Sequence, residues 1–147
     1  MANISIEDLN QAVQEALEEY KELTTDDLKK AVTKTAKDTA SLVREKAPVQ
    51  KKSSRAGTYQ ASIRSTTVYE DTHSKRMKVW ASGKEYTLSH LLEKGHDLVA
   101  HRGRNKGRVI SHTKARPHFL YGEEYVEQNL EKNIKSYMEK SAKRKGK

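Results

Sequence analysis

The sequence predicts an α+β fold: a long N-terminal helical segment, an antiparallel β-hairpin or small sheet, a short helix, an extended basic loop and a C-terminal helix. Three observations carry that expectation. Apolar residues recur at three-to-four spacing over residues 6–43 and again over 126–138. Between about 59 and 81 the period shortens to two, and the composition turns β-branched and aromatic. Residues 96–118 follow neither period and are rich in arginine, lysine and glycine.

Ser5 followed by Asp8 has the pattern of a capping box, with Ile4 and Leu9 as its hydrophobic staple, so a helix starts there. Ile6, Leu9, Val13, Ala16/Leu17, Tyr20 and Leu23 then form one apolar stripe opposite a glutamate-rich face. At "LTTDDLKK" the start signal recurs, with Thr24 as cap, Asp27 three residues on, and Leu23 and Leu28 as a second staple; this predicts a kink or break. The second half carries Leu28, Ala31, Val32, Thr35, Ala36, Thr39, Leu42 and Val43, small enough in its middle for close approach of another element. It ends before Pro48, because the residue preceding a proline disfavours the helical region.

"PVQKKSSRAG" reads as a polar, acid-free loop closing on Gly57, a position suited to an unusual backbone turn. "YQASIRSTTVYE" and "KRMKVWAS" are joined by the turn residues "DTHS" and read as a hairpin, with Met77, Val79 and Ala81 on its buried face. Residues 88–94 form a short helix with Leu88, Leu91 and Leu92 inward, closed by Gly95. The excursion 96–118 is irregular or hairpin-like, with "VIS" as a short strand inside it. "YGEEYVEQNLEKNIKSYMEK" aligns Val126, Leu130, Ile134 and Tyr137/Met138 on one helical face, and "KSAKRKGK" is a solvated basic end. No internal repeat is visible. The 147 residues are expected to form a single domain: a helical segment 1–46, sheet, short helix and extended loop 57–120, a C-terminal helix 121–140 and a basic tail 141–147.

Apolar residues make up 34% and charged residues 33%, so core material is scarce and part of the order is expected to come from partners. The absence of cysteine excludes disulfides, thiolate catalysis and cysteine-ligated zinc. The start "MANISIEDLNQ" lacks the basic and apolar stretches of a signal peptide, and no apolar run reaches membrane-spanning length, so a soluble protein that stays where it is made is expected. The net charge of +9 is unevenly spread: residues 1–27 hold eight acids against Lys21 alone, leaving +16 on the remaining 120 residues. An acidic end and a basic body suit head-to-tail association between identical copies.

Five of the six histidines, His90, His96, His101, His112 and His118, fall in one stretch, which raises the question of a metal or catalytic site. Their spacing gives no His-x-x-x-His pair on a helix, few acids stand near them beyond Glu93 and Asp97, and the surrounding cations oppose metal binding. Ser89 and His90 are adjacent on a helix, which points their side chains apart, and "HRGRNKGR" lacks the spacing and Lys-Ser/Thr ending of a phosphate-binding loop. No active site, metal or cofactor is expected. Arg102, Arg104, Lys106, Arg108, Lys114 and Arg116 place six cations within 15 residues without an acid, enough for a non-specific grip on phosphates. No helix-turn-helix, zinc finger or aromatic platform accompanies them, and Phe119 is the only phenylalanine.

The order of local motifs adds what composition does not. "APV" (47–49) ends a helix, "GTYQASI" (57–63) starts a strand, "YTLSHLLEKGH" (86–96) follows the hairpin, and a basic glycine-containing loop leads to "ARPHF" (115–119) before a helix beginning "GEE". Over about residues 47–130 this series resembles the tailed-bacteriophage head-tail joining family, also described as minor neck or tail-completion proteins. The motif residues are Pro48, Gly57, Tyr59, Leu88, Leu91, Leu92, Glu93, Gly95, His96, Pro117, His118 and Phe119.

The resemblance implies a non-enzymatic virion component, assembled in the host cytoplasm. It would form a ring, six copies being the expectation, between the head-closure part of the neck and the tail terminator, with genomic DNA passing through the lumen and no membrane partner. On that reading Leu88, Leu91 and Leu92 anchor the short helix and Gly95 reverses the chain. Residues 102–108 tip a loop that meets a neighbouring subunit, an adjoining ring or DNA. Pro117 and Phe119 re-seat the chain on the core, and Glu93 pairs with a nearby cation, one from the basic loop. The competing readings are a non-specific DNA-binding module and, less favoured, a metal-dependent nuclease.

Overall fold

A computed structural model describes residues 6–49 and 54–146. The first element, α1 (Ile6–Lys46), is a single helix of 41 residues, about 60 Å long. The break expected at Thr24 does not occur. Thr25 Oγ1 donates back to Lys21 O at 2.8 Å within the helix, and Asp27 is buried. Thr24 and Asp27 border a hollow shared with Met138, Ala142 and Lys145 of the C-terminal helix α4 (Phe119–Lys145), so tertiary packing overrides a local start signal. Ser5 and Ile4 of the first cap lie outside the described residues, as do 50–53 of the polar loop and the side chains of Ile6, Leu9, Tyr20 and Leu23.

The two long helices run antiparallel and form the main packing of the molecule. Ala31, Thr35, Ala36, Thr39, Ala40 and Val43 are buried along α1, and the small residues allow close approach as expected. The buried threonines are satisfied: Thr35 and Thr39 donate to Ala31 O and Thr35 O at 2.8 and 2.7 Å, and Asn133 Nδ2 of α4 donates to Thr35 Oγ1 at 2.9 Å. The helices approach closely at Gly122, where a Cβ would stand 2.7 Å from Val43 Cγ2 and 3.0 Å from Thr39 Cγ2.

Gly57, in the left-handed region at φ 76°, does not open a strand; it opens the short helix α2 (Thr58–Ser62). Arg44 Nε donates to Ile63 O at 2.7 Å and Gln60 Nε2 to Arg44 O at 2.6 Å, clamping this turn to the end of α1. Strand β1 (Ile63–Glu70) therefore begins later than alternation suggests and pairs antiparallel with β2 (Lys75–Ala81), with a bulge at Val68. Asp71 organises the turn between them, its Oδ1 accepting from His73 N and Ser74 N at 2.8 and 2.6 Å and its Oδ2 from Tyr69 OH at 2.5 Å. Those donors hold its carboxyl well below the usual carboxylate range, Tyr69 contributing most.

The hairpin packs on α1 beside α4, and a groove of about 640 Å³ between α4 and β2 is lined by Val32, Met77, Val79, Val126 and Leu130. A 3-10 turn, Gly83–Glu85, leads into α3 (Tyr86–Lys94); strands β3 (His96–Val99) and β4 (Val109–Thr113) then pair antiparallel as a separate two-stranded arm. The core is small. Val43, Ala47, Tyr59, Ile63 and Ala81 form it, with Val79, Leu92 and Phe119 packed alongside.

Helix α4 is longer than expected at both ends. It starts at Phe119 rather than at "GEE", and the tail residues 141–145 continue it, with a basic last turn that suits the helix dipole and Lys145 Nζ 3.3 Å from Glu19 Oε1 of α1. Overpacking costs about 1–3 kcal/mol or more and exceeds the gain of about 1 kcal/mol from replacing a helical glycine. Gly122→Leu is therefore expected to lower the melting temperature, measured by circular dichroism; a variant melting at or above wild type would contradict the close α1–α4 crossing.

Candidate functional site

Three motifs far apart in sequence meet at one point. His118, fully buried, directs Nε2 to Tyr59 OH at 2.6 Å, and the two rings meet edge to face with centroids 5.5 Å apart. Its Nδ1 lies 3.0 Å from Arg116 O and 3.2 Å from Glu93 Oε2, both acceptors, so Nδ1 carries the hydrogen. The Tyr59 hydroxyl also reaches Ser89 Oγ at 3.2 Å, bridging α2 to α3. Burial pushes the Tyr59 phenol above the ordinary tyrosine range, and the charges of Glu93 and Glu85 add to this against the opposing Ser89 contact.

Glu93 does not pair with a cation of the basic loop. Its Oε2 accepts from His118 N at 2.9 Å and Phe119 N at 3.2 Å, and its Oε1 from Leu120 N at 3.0 Å. These are amides that the first turn of a helix leaves without intrahelical partners, so a carboxylate on α3 caps α4 from 25 to 27 residues away. This explains why α4 starts at Phe119. Ser89, Leu92 and Glu93 face this node at helical spacing, which turns Leu88 to the flank: it is 39% exposed rather than inward, Leu91 is half-buried, and only Leu92 packs on the core.

Gly95 follows α3 with φ 74°, and a Cβ there would overlap Thr113 O and approach Ala115 N to 3.0 Å. Only glycine fits both the conformation and the crossing chain. Arg116 N donates to Leu92 O at 2.7 Å, closing the foot of the arm. The "VIS" strand lies in β4, and the excursion is an ordered hairpin: Ala100 N donates to Arg108 O and Gly107 N to Ala100 O at 3.0 and 2.9 Å. Asp97 and His112 pair across the strands at 2.7 Å.

The fold divides the six cations. Arg102, Arg104, Lys106 and Arg108 sit in the exposed turn, while Lys114 and Arg116 lie at the foot. Among the described residues none of the four tip cations has an ion-pair partner. The histidines do not converge: His118 is buried in the node, His112 pairs with Asp97, and His90 and His101 are exposed. Among the described residues no three His, Asp or Glu side chains gather closely enough to hold a metal, and no helix is long and apolar enough to cross a membrane.

The partners of Glu93 and His118 are not visible in the local sequence. Nothing local marks Glu93 as a cap for a helix that starts beyond the arm, and Gly122 carries no turn signal because its role is an interhelical contact.

The assembly is thus an α+β unit in which a buried polar node holds a basic arm on a two-helix body. Residues 11–95, more than half of the chain, match the family model described as "Bacteriophage HK97-gp10, putative tail-component", and the chain belongs to this HK97-gp10-like family of phage tail components. The matched segment contains Tyr59 and Glu93 and ends at Gly95, where the arm begins. No curated protein and no solved structure matches the chain.

Replacing Glu93 by alanine leaves the α4 amides unsatisfied and is expected to cost about 1–3 kcal/mol, with Glu93→Gln, which keeps one acceptor, falling between; urea unfolding measures both. A neutral Glu93→Ala would refute the cap. Because the folded Tyr59 phenol titrates above its unfolded value, its contribution to stability is complete below about pH 10 and is lost as pH rises through the higher folded value. Alkaline melting curves should therefore fall more steeply for wild type than for Tyr59→Phe, and parallel curves would argue against a buried neutral phenol.

Proposed function

We propose that this tail component is a head-tail joining or tail-completion subunit: a structural virion protein that closes into a sixfold ring in the neck. One face of the ring meets the head-closure protein and the other the tail terminator, and genomic DNA passes through its lumen. The role is one of contact rather than catalysis, and it is carried out in the virion neck after assembly in the host cytoplasm. The observation that carries this reading is the arm, an ordered hairpin with four cations at its tip that have no ion-pair partner among the described residues, mounted on the base formed by Tyr59, Glu93 and His118. Family membership supports a tail location, and the separation of an acidic helix from a basic body supports contacts between unlike surfaces of neighbouring copies.

A second reading, sequence-independent contact with DNA, is favoured by the same tip. Neutralising about four phosphates would make affinity fall with salt at a slope of roughly −3.6 in logarithmic units.

The test is to replace Arg102, Arg104, Lys106 and Arg108 together by serine in the phage. The variant protein should fold as wild type, since all four side chains are exposed, while infected cells accumulate filled heads and separate tails. Normal plaque yield would overturn the assignment of the arm as a joining element. Duplex binding by the purified protein with the steep salt slope above, abolished in the serine variant, would favour the second reading.

A further inference from the structure

The pairing of Lys145 with Glu19 marks where α4 stops along α1, yet α1 continues toward its N-terminus for residues 6–18, about 20 Å. Val13 and Leu17 lie four apart on this overhang and are 49% and 60% exposed. Counted at 100° per residue, they continue the side of α1 that holds Thr24 and Asp27, the side α4 covers further along. The overhang is thus an interhelical face that outruns its partner. Glu15 and Glu18 stand exposed on the opposite side, and the surrounding segment 1–27 holds eight acids against one lysine.

The arm has the opposite character. Val109 and Ile110 on β4 are exposed, Ile110 at 64%, and directly before them stand the cations of the tip, which have no ion-pair partner among the described residues. These two surfaces combine exposed aliphatic side chains with concentrated charge, and their signs are opposite.

We propose that the overhanging N-terminal turns of α1 in one copy receive the β3–β4 arm of a second copy. Val13 and Leu17 pack on the aliphatic stem of the arm, and its arginines and lysine reach around the helix to Glu15 and Glu18 on the other side. Two overhangs pairing with each other would set acid against acid, and two arms base against base, so charge selects the unlike pair. Such an interface joins different surfaces and is directional, and it closes a ring when the rotation permits. The inference deepens the ring reading and rests on it.

Sedimentation velocity of the full chain at low salt tests it, with two charge-reversed variants. Glu15→Lys with Glu18→Lys, and Arg102→Glu with Arg104→Glu, Lys106→Glu and Arg108→Glu, should each self-associate roughly tenfold more weakly or worse. Circular dichroism should show both folded. An equimolar mixture should recover assembly, because every overhang then meets an arm of opposite sign in alternation. A wild-type ring that survives either reversal, or a mixture no better than its components, overturns this interface and leaves the ring reading standing. A wild type that stays monomeric alone and is absent from the virion neck overturns both. Loss of DNA binding in the arm variant with self-association intact assigns the arm to DNA instead.

Discussion

The carboxylate of Glu93, laid across the first amides of α4, is the contact on which the rest of the molecule depends. It fixes where the last helix starts, and through His118 and Tyr59 it ties that start to α2 and the core. A helix N-terminus carries partial positive charge and unpaired N–H groups, so a carboxylate there satisfies hydrogen bonds and electrostatics together. The chain between Glu93 and His118 is the arm, and its two ends are therefore pinned by one side chain. A hairpin of two short strands is marginal in isolation; here its base is closed by the cap, by the Gly95 crossing and by the Arg116–Leu92 hydrogen bond.

This arrangement divides the labour of the chain. The body is economical: a small core, a tight α1–α4 crossing at Gly122, and threonines whose hydroxyls are satisfied along α1. Exposed aliphatic side chains also mark both extremities, Val13 and Leu17 on the acidic overhang of α1 and Leu98, Val99, Val109 and Ile110 on the basic arm. The matched segment of the family covers most of the body and stops where the arm starts.

Much of the fold was legible in the sequence because its strongest signals are periodic. The helical spacing of Val126, Leu130, Ile134 and Met138, the alternation of Met77, Val79 and Ala81, and the turn residues around Asp71 all report local geometry, and the fold keeps them. The failures have one physical cause, which is tertiary contact between distant segments. The Thr24 start signal is sound locally, yet α4 covers Thr24 and Asp27 and the helix runs through. Tyr59 has β-forming neighbours, but Gly57 and the clamp from Arg44 and Gln60 coil it into α2, which brings its hydroxyl to His118. The six cations look like one cluster in sequence, and the hairpin separates four at the tip from two at the foot. The histidines that suggest metal chemistry are spread over separate roles, the most buried one being structural.

Amide hydrogen exchange read by NMR tests the central claim directly. The amides of His118, Phe119 and Leu120, bonded to Glu93, should exchange as slowly as those around Val43 and Ile63 in the core, while the turn carrying Arg102 to Arg108 exchanges fast. If those three amides exchanged at the rate of the arm's tip, the cap would not hold the helix start, and the arm would lack a fixed base.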